Sequence, residues 1–545
     1  MKKIIYILTA VVSAFTLASC SKMLDSVEQL GALDTDKYYT EASDAEAEAI
    51  ATSMYVTVWN QLSNTRMEAY TDNVVSTNGY KTINADNFDS GLYAGLYQLI
   101  YKTHLVIEKL PGDTPVKQRT IAEAYFFRGW AYFNLIRGWG TPPYVDHVLS
   151  AEDLTAITNG NKEELWKLCT DSFEEAVKGL PSKSGKGGQQ AIGARVTKQA
   201  AQAFLGKAYL YAGNKSAAAS ALKQVIDSQA YSLIDDFQDL YTMKADWSDE
   251  YVWEYNADDN DADQRGTEAR LDYQSQWRGE NLTQPGGCHL SGFTQGFSNS
   301  FPSKDFYDFM IARGEGNGTR RLGTVWSVEE AAQKFVDLSD PSLKGTPNYE
   351  GDNLAAMKAA HPGITDFQAG MRLLWSGDMA LPSASTCQGY LGCKQYIWFS
   401  DMYPATNTHD IYSKANYPVM RYSDVLLLYA EAASDVNALN QVRQRAGLAA
   451  LGSYSDQALR DERRAEFWGE GERFWDCIRW GIAATEFASV GKVSYETTCN
   501  SSTYEVTVNA TPVSDWIGWD NKYTAFPYTT SELQQTSIKQ NPGWE

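Results

Sequence analysis

Two short stretches bring aromatic rings together with hydrogen-bonding side chains, the combination that can hold a polyol. In residues 272–279 (DYQSQWRG), Tyr273, Trp277 and Arg278 stand beside the acceptors Asp272, Gln274 and Gln276. In residues 72–88 (DNVVSTNGYKTINADNF), Asn78, Tyr80 and Asn84 fall around an Asn-Gly turn signal. An aromatic face stacked on a sugar ring contributes ~1 kcal/mol, by analogy with other stacking contacts. Asp, Asn, Gln and Arg can take up the hydroxyls. Trp326, after GTRRLGTV, is a third candidate and Trp375 a fourth. Any one of these rings could instead be core, because Tyr and Trp are normally buried with the polar tip satisfied. Trp277 has polar neighbours on both sides, which argues against a core position.

Catalytic and metal-binding patterns are missing. The five histidines, His104, His147, His289, His361 and His409, form no HExxH and have no close Cys or His partner. There is no G-x-S-x-G elbow and no P-loop. These absences argue for a non-enzyme without a cofactor, although paired glycosidase carboxylates follow no local spacing rule. The acidic loop Asp258-Asp259-Asn260-Asp261-Ala262-Asp263 fits a calcium loop at its first, third and fifth positions. Gln264 then replaces the turn glycine, and Arg270 stands where a bidentate Glu belongs, so the loop reads as solvated. Cys387 and Cys393 are close enough to clip a loop, with two free thiols the equal alternative. Cys477, in an aromatic helical stretch, reads as a small buried hydrophobe.

The chain's start fixes where these residues work. Lys2 and Lys3 precede an apolar run from Ile4 to Leu17, the length of a signal h-region and too short for a membrane span. Leu17-Ala18-Ser19-Cys20 resembles a bacterial lipobox, in which the signal is cut before Cys20 and the thiol is lipidated. With 47 basic and 68 acidic residues the net charge is -21. Such a protein repels nucleic acid and anionic surfaces and suits neutral ligands or neutral to basic partners.

Helical signals dominate residues 43–234. Apolar residues recur at helical spacing in 92–110, stopped by Pro111-Gly112, and in 121–137, stopped by Gly138 and Pro142-Pro143. Further helices are expected over 163–180, 194–212 and 216–228. AEAYFFRGWAYF and AQAFLGKAYLYAG interleave small residues with aromatics, the tetratricopeptide logic of closely stacked helix pairs, without an even 34-residue period. Residues 235–416 are rich in Gly, Asp, Asn, Ser and Pro, with short helices at 303–312 and 328–336. They read as a loop-rich lobe able to carry binding residues. Helix returns over 417–484, and the tail holds one candidate strand, YEVTV.

Five segments then form a pattern. They are AEAYFFRGWAYFNLIRGWGTPPYV (122–145), ARVTKQAAQAFLGKAYLYAG (194–213), YPVMRYSDVLLLYAEAASDVNALNQVRQRAGL (417–448), LRDERRAEFWGEGERFWDCIRWG (459–481) and AFPYTTSELQQTSIKQNPGW (525–544). In this order they resemble the signature segments of the SusD/RagB family.

That resemblance implies a mainly α protein, with a tetratricopeptide-like scaffold, an irregular variable lobe and a few short strands. It divides the chain into a signal peptide (1–19), a lipidated tether (20–42), an N-terminal helical region (43–234), a ligand-binding lobe (235–416) and a C-terminal region (417–545). It further implies an outer-membrane lipoprotein of Bacteroidetes-type bacteria, anchored through Cys20 and facing outward. Such a protein would capture glycans for a TonB-dependent SusC-like transporter without catalysing anything. A structural lid with little glycan affinity, or capture of peptides, is the alternative reading. No ligand residue is carried over by motif. The shared Arg464, Glu466, Arg473, Asp476 and Arg479 read as buried ion pairs, with Arg stacked on Trp; an anion site of Arg463, Arg464 and Arg473 is the functional alternative.

Overall fold

The computed structural model describes residues 35–545, apart from 63–66, 77–78, 86–87, 89, 184, 186–194, 257–299, 347, 375–387 and 395–413. The scaffold begins with α1 (Asp44–Leu62), α2 (Ser90–Lys109), α3 (Pro115–Trp139), α4 (Lys162–Gly179), α5 (Lys198–Tyr211) and α6 (Lys215–Asp227). Each packs on the next, and α3 also packs on α1. Their starts are set locally. Thr114 accepts from Lys117 N with Pro115 at the first position, and Asn161, Thr197 and Asn214 cap α4, α5 and α6 in the same way. Helix α3 is buried on nearly every side, which accounts for its aromatic and small residues all round.

Small residues do allow close approach. A Cβ on Gly129 would stand 3.0 Å from the Phe173 ring, and one on Gly206 would overlap Leu222 of α6. Gly206→Ala is therefore expected to destabilise the protein. Overpacking costs about 1–3 kcal/mol, against a gain of up to about 1 kcal/mol in helix propensity. A lowered urea midpoint checks this.

The chain leaves the scaffold through β2 (Tyr251–Tyr255) and returns through β6 (Tyr417–Arg421). The two are antiparallel, with Tyr255 opposite Tyr417 and Tyr251 opposite Arg421. Between them lies the lobe: α7 (Lys304–Ala312), α8 (Val328–Asp337), α9 (Gly351–Ala360) and α10 (Asp366–Leu374). It has its own core around Phe301, Trp326, Phe335, Leu354 and Met357. Helices α7 and α8 lie where the sequence placed them; α9 and α10 were not foreseen. The C-terminal region adds α11 (Tyr422–Ala433), which packs on α6, then α12 (Val436–Arg445), α13 (Asp456–Glu466) and α14 (Glu472–Arg479). Strands β7 (Val493–Cys499) and β8 (Val506–Pro512) form a hairpin, so the expected YEVTV strand starts two residues later than read. Among the described residues, no helix is long and apolar enough to cross a membrane.

Lobe and scaffold are joined by buried charge. Arg320 of the lobe reaches Glu315 at 2.6 Å, Glu462 at 2.6 Å and Glu466 at 3.1 Å. Arg421 reaches Glu250 at 2.6 Å, Glu466 at 2.8 Å and Glu470 at 2.6 Å, and Arg445 also pairs with Glu466. The expected pairs around α14 are present. Arg479 binds Glu431 and Asp476 with its guanidinium 4.7 Å from the Trp480 ring. Arg463 holds Asp424 and Asp476, while Arg464 and Arg473 share Asp72. The three arginines of the alternative anion site are thus occupied by the protein's own carboxylates.

Glu254 on β2 has the opposite electrostatics. It is fully buried; its Oε2 accepts from Asn416 Nδ2 at 2.9 Å and Trp247 N at 3.2 Å, while Oε1 has no partner among the described residues. Burial pushes its carboxyl up to about 8. The folded state holds this proton where the unfolded chain has lost it. The stability it lends is complete below about 4.5, the unfolded value, and is lost as pH rises toward 8. Glu254→Gln is expected to flatten that loss, raising the urea midpoint at pH 8 more than at pH 5.

Candidate ligand-binding face

Strand β1 (Val74–Ser76) pairs with β3 (Ser300–Pro302), placing Ser76 opposite Ser300. Strand β5 (Tyr390–Gly392), which follows residues 375–387, touches β3 and pairs with β4 (Val325–Ser327). Strands β1, β3 and β5, from three separate parts of the chain, thus meet at one edge. The edge is held rigidly from below. Asp72 binds Arg473 at 3.0 Å, Asn73 Oδ1 accepts from Arg464 Nε at 2.8 Å, and Asn73 O accepts from Trp468 Nε1 at 3.2 Å and Ser303 N at 2.9 Å.

Of the residues singled out from the sequence, Asn78, Asp272, Tyr273, Trp277, Arg278, Trp375 and Cys20 lie outside the described residues, as do the 258–263 acidic loop and Cys387 of the Cys387–Cys393 pair. Two others are corrected. Tyr80 is 1% exposed; its ring stacks on Tyr523 at 4.7 Å and its hydroxyl donates to Tyr70 O at 2.8 Å. Burial pushes that phenol well above its usual range. Trp326 is 3% exposed in the lobe core, where its Nε1 donates to Leu322 O at 2.7 Å. Neither presents a ring to a ligand, because remote aromatics enclose Tyr80 and the β4–β5 pair draws Trp326 inward. Asn84 remains half-buried beside the edge.

The structure adds residues that the sequence reading passed over. The turn at 513–521 lies against the 79–84 segment through the Lys81–Asp515 ion pair at 2.6 Å. It carries half-buried Trp516 and Trp519 and Ile517, 46% exposed. Trp516 Nε1 donates to Val490 O at 2.9 Å, fixing the indole, and Trp519 meets the Tyr80 ring edge-on at 5.6 Å. Asp515, Asp520 and Asn521 supply polar groups alongside. The signal was present in DWIGWDN, where polar residues flank the tryptophans just as they flank Trp277. Aromatic faces and hydrogen-bonding groups on an exposed edge can hold neutral hydroxylated ligands.

A separate cavity of about 60 Å³ opens among α3, α5 and β6. Lys207 there binds Asp424 at 3.0 Å and Glu472 at 2.8 Å, and Arg137 sits 4.6 Å from the Trp475 ring. It has room for a few waters and not for a sugar ring. Among the described residues, no group of three His, Cys, Asp or Glu side chains could hold a metal ion. Cys477 is buried in the main core, as its aromatic surroundings indicated.

Residues 243–544 match the SusD family, and residues 19–210 match a family described as starch-binding associating with outer membrane. SusD-like protein P2 of Formosa agariphila is 22% identical over 533 residues, covering 90% of this chain and 93% of that protein. SusD-like protein P25 of the same organism is 22% identical over 431 residues, covering 72% and 70%. Among solved structures, the surface glycan-binding protein A from Bacteroides thetaiotaomicron superposes with a TM-score of 0.67 at 19% identity, covering 93% of this chain and 100% of that one. A laminarin-binding SusD-like protein superposes with a TM-score of 0.66 at 20% identity, covering 92% and 99%.

Proposed function

This chain belongs to the SusD family, and from that premise we propose that it captures neutral oligo- or polysaccharides for import across the outer membrane. The reading rests on the exposed aromatic and polar residues of the 513–521 turn, held against the 79–84 segment that follows β1; Asn78, Asp272, Tyr273, Trp277 and Arg278 are proposed to add to that surface. Trp516, Trp519 and Asp515 lie on that turn, and Asn84 is half-buried in the 79–84 segment. A relative of the same fold is described as laminarin-binding, and another was solved in complex with laminarihexaose. Laminarin is a neutral glucan, and a net charge of -21 disfavours polyanionic glycans. Each stacked ring contributes ~1 kcal/mol, so several rings along one edge are needed for useful affinity.

Capture involves no bond making, and the partner is a TonB-dependent SusC-like transporter. Acyl chains on Cys20 tether the protein at the outer face of the membrane. The tether keeps the edge close to the transporter, so high local concentration substitutes for tight pairing. The test is two-part: retardation of the protein in gels containing laminarin, and co-purification of a large barrel protein with the tethered form. Co-purification without retardation by any polysaccharide would favour a purely structural lid.

A further inference from the structure

Helix α3 carries another ligand-seeking group, three turns before Trp139. Arg128 is 9% exposed. Its Nε donates to Ser172 Oγ at 2.9 Å, and its guanidinium lies 5.0 Å from the Tyr125 ring centre. Among the described residues it makes no ion pair and no further hydrogen bond. Arg320, Arg321, Arg421, Arg463 and Arg473, buried as deeply, each meet a carboxylate. Arg128 alone of these six has no carboxylate within ion-pair distance among the described residues, and its two Nη groups have no acceptor among them.

The 144–146 segment is fixed against the same helix one turn on, where the Tyr132 hydroxyl donates to Val145 O and accepts from Val145 N, both at 2.8 Å. Tyr125, Tyr132, Tyr144 and Asp146 are the electrostatic neighbours of Arg128. Tyr144 is 41% exposed, and neither its hydroxyl nor that of Tyr125 makes a hydrogen bond among the described residues. Asp146 is exposed and, among the described residues, accepts only from His147 Nδ1, at 2.8 Å. Behind, His104 Nε2 is engaged by Val145 O at 3.2 Å.

The geometry points to a sugar acid as the occupant: the carboxylate of a uronic acid, free or at a glycan end, on the Arg128 fork with its ring against Tyr144. A guanidinium presents parallel N–H groups that match a carboxylate, and a buried charge without a counter-ion gains most from one. Phenol hydroxyls and Asp146 remain for the sugar hydroxyls, which a simple carboxylate would leave unused. A long polyanion is disfavoured by the net charge of -21. This site on α3 shares no residue with the β1–β3 edge and goes beyond neutral glycan capture.

The test is saturation-transfer NMR on the soluble protein with millimolar D-glucuronate, and with D-glucose and acetate as competitors. Binding to glucuronate is expected, weakened at least about tenfold by Arg128→Gln and clearly reduced by Tyr144→Ala, with glucose and acetate displacing it poorly. Tyr144 is exposed, so its variant reports even where Arg128→Gln impairs folding. No glucuronate signal, a signal unchanged in Tyr144→Ala, or equal displacement by acetate would overturn the assignment. Trp516→Ala should leave glucuronate binding intact, which separates this site from the glycan edge.

Discussion

Replacing Glu466 by alanine is expected to lower stability by about 3–5 kcal/mol. Glu466 is fully buried and meets Arg320, Arg421 and Arg445. Its removal leaves three guanidinium groups under-neutralised in the interior. Burial pushes its carboxyl up, but Arg445, Arg421 and Arg320 outweigh that and hold it well below the usual range. A carboxyl depressed in this way lends stability that is fully present above its unfolded value, near 4.5. That contribution is lost as pH falls below it. Urea unfolding of Glu466→Ala should therefore show its largest deficit at neutral pH and a smaller one toward pH 3. Because Arg320 belongs to the lobe and Arg421 to β6, the variant should also unfold in two steps, the lobe first. A single transition at the parent midpoint would contradict the role given to this network.

The largest expected effect on binding is that of Trp277→Ala combined with Trp516→Ala. Losing one stacked ring costs ~1 kcal/mol, roughly a fivefold change in affinity. Two independent losses should weaken capture about thirtyfold. Tyr80→Phe removes only the hydrogen bond to Tyr70 and is expected to leave affinity unchanged, since that ring is enclosed by Tyr523 and Trp519. Isothermal titration with a laminari-oligosaccharide separates the two. Equal weakening by Tyr80→Phe, or none by the double variant, would count against the edge as the capture surface.

The helical scaffold was legible because its signals are local: apolar spacing, Thr and Asn caps, and small residues where helices touch, as at Gly129 and Gly206. The charges of α13 and α14 were legible as ion pairs, but their partners were not. Asp72, Arg320 and Glu431 lie far away in the chain, and only the fold brings them there. Tyr80 failed for the same reason. Its immediate neighbours are polar, yet Trp519 and Tyr523, more than 400 positions later, enclose it. Trp516 and Trp519 passed unremarked because a tail of loops and short strands gives no period against which an exposed ring stands out. Helices α9 and α10 lie in a stretch punctuated by Pro and Gly, where short apolar faces are hard to tell from loop.

The central claim is capture of a neutral glycan without chemistry. Native electrophoresis of the soluble protein through gels holding laminarin, starch or a sulfated polysaccharide tests it most directly, with reducing ends assayed in parallel. Retardation by at least one neutral glycan, none by the sulfated one and no reducing ends released is the predicted result. Unretarded migration through every neutral glycan, or release of reducing ends that a carboxylate substitution abolishes, would contradict it.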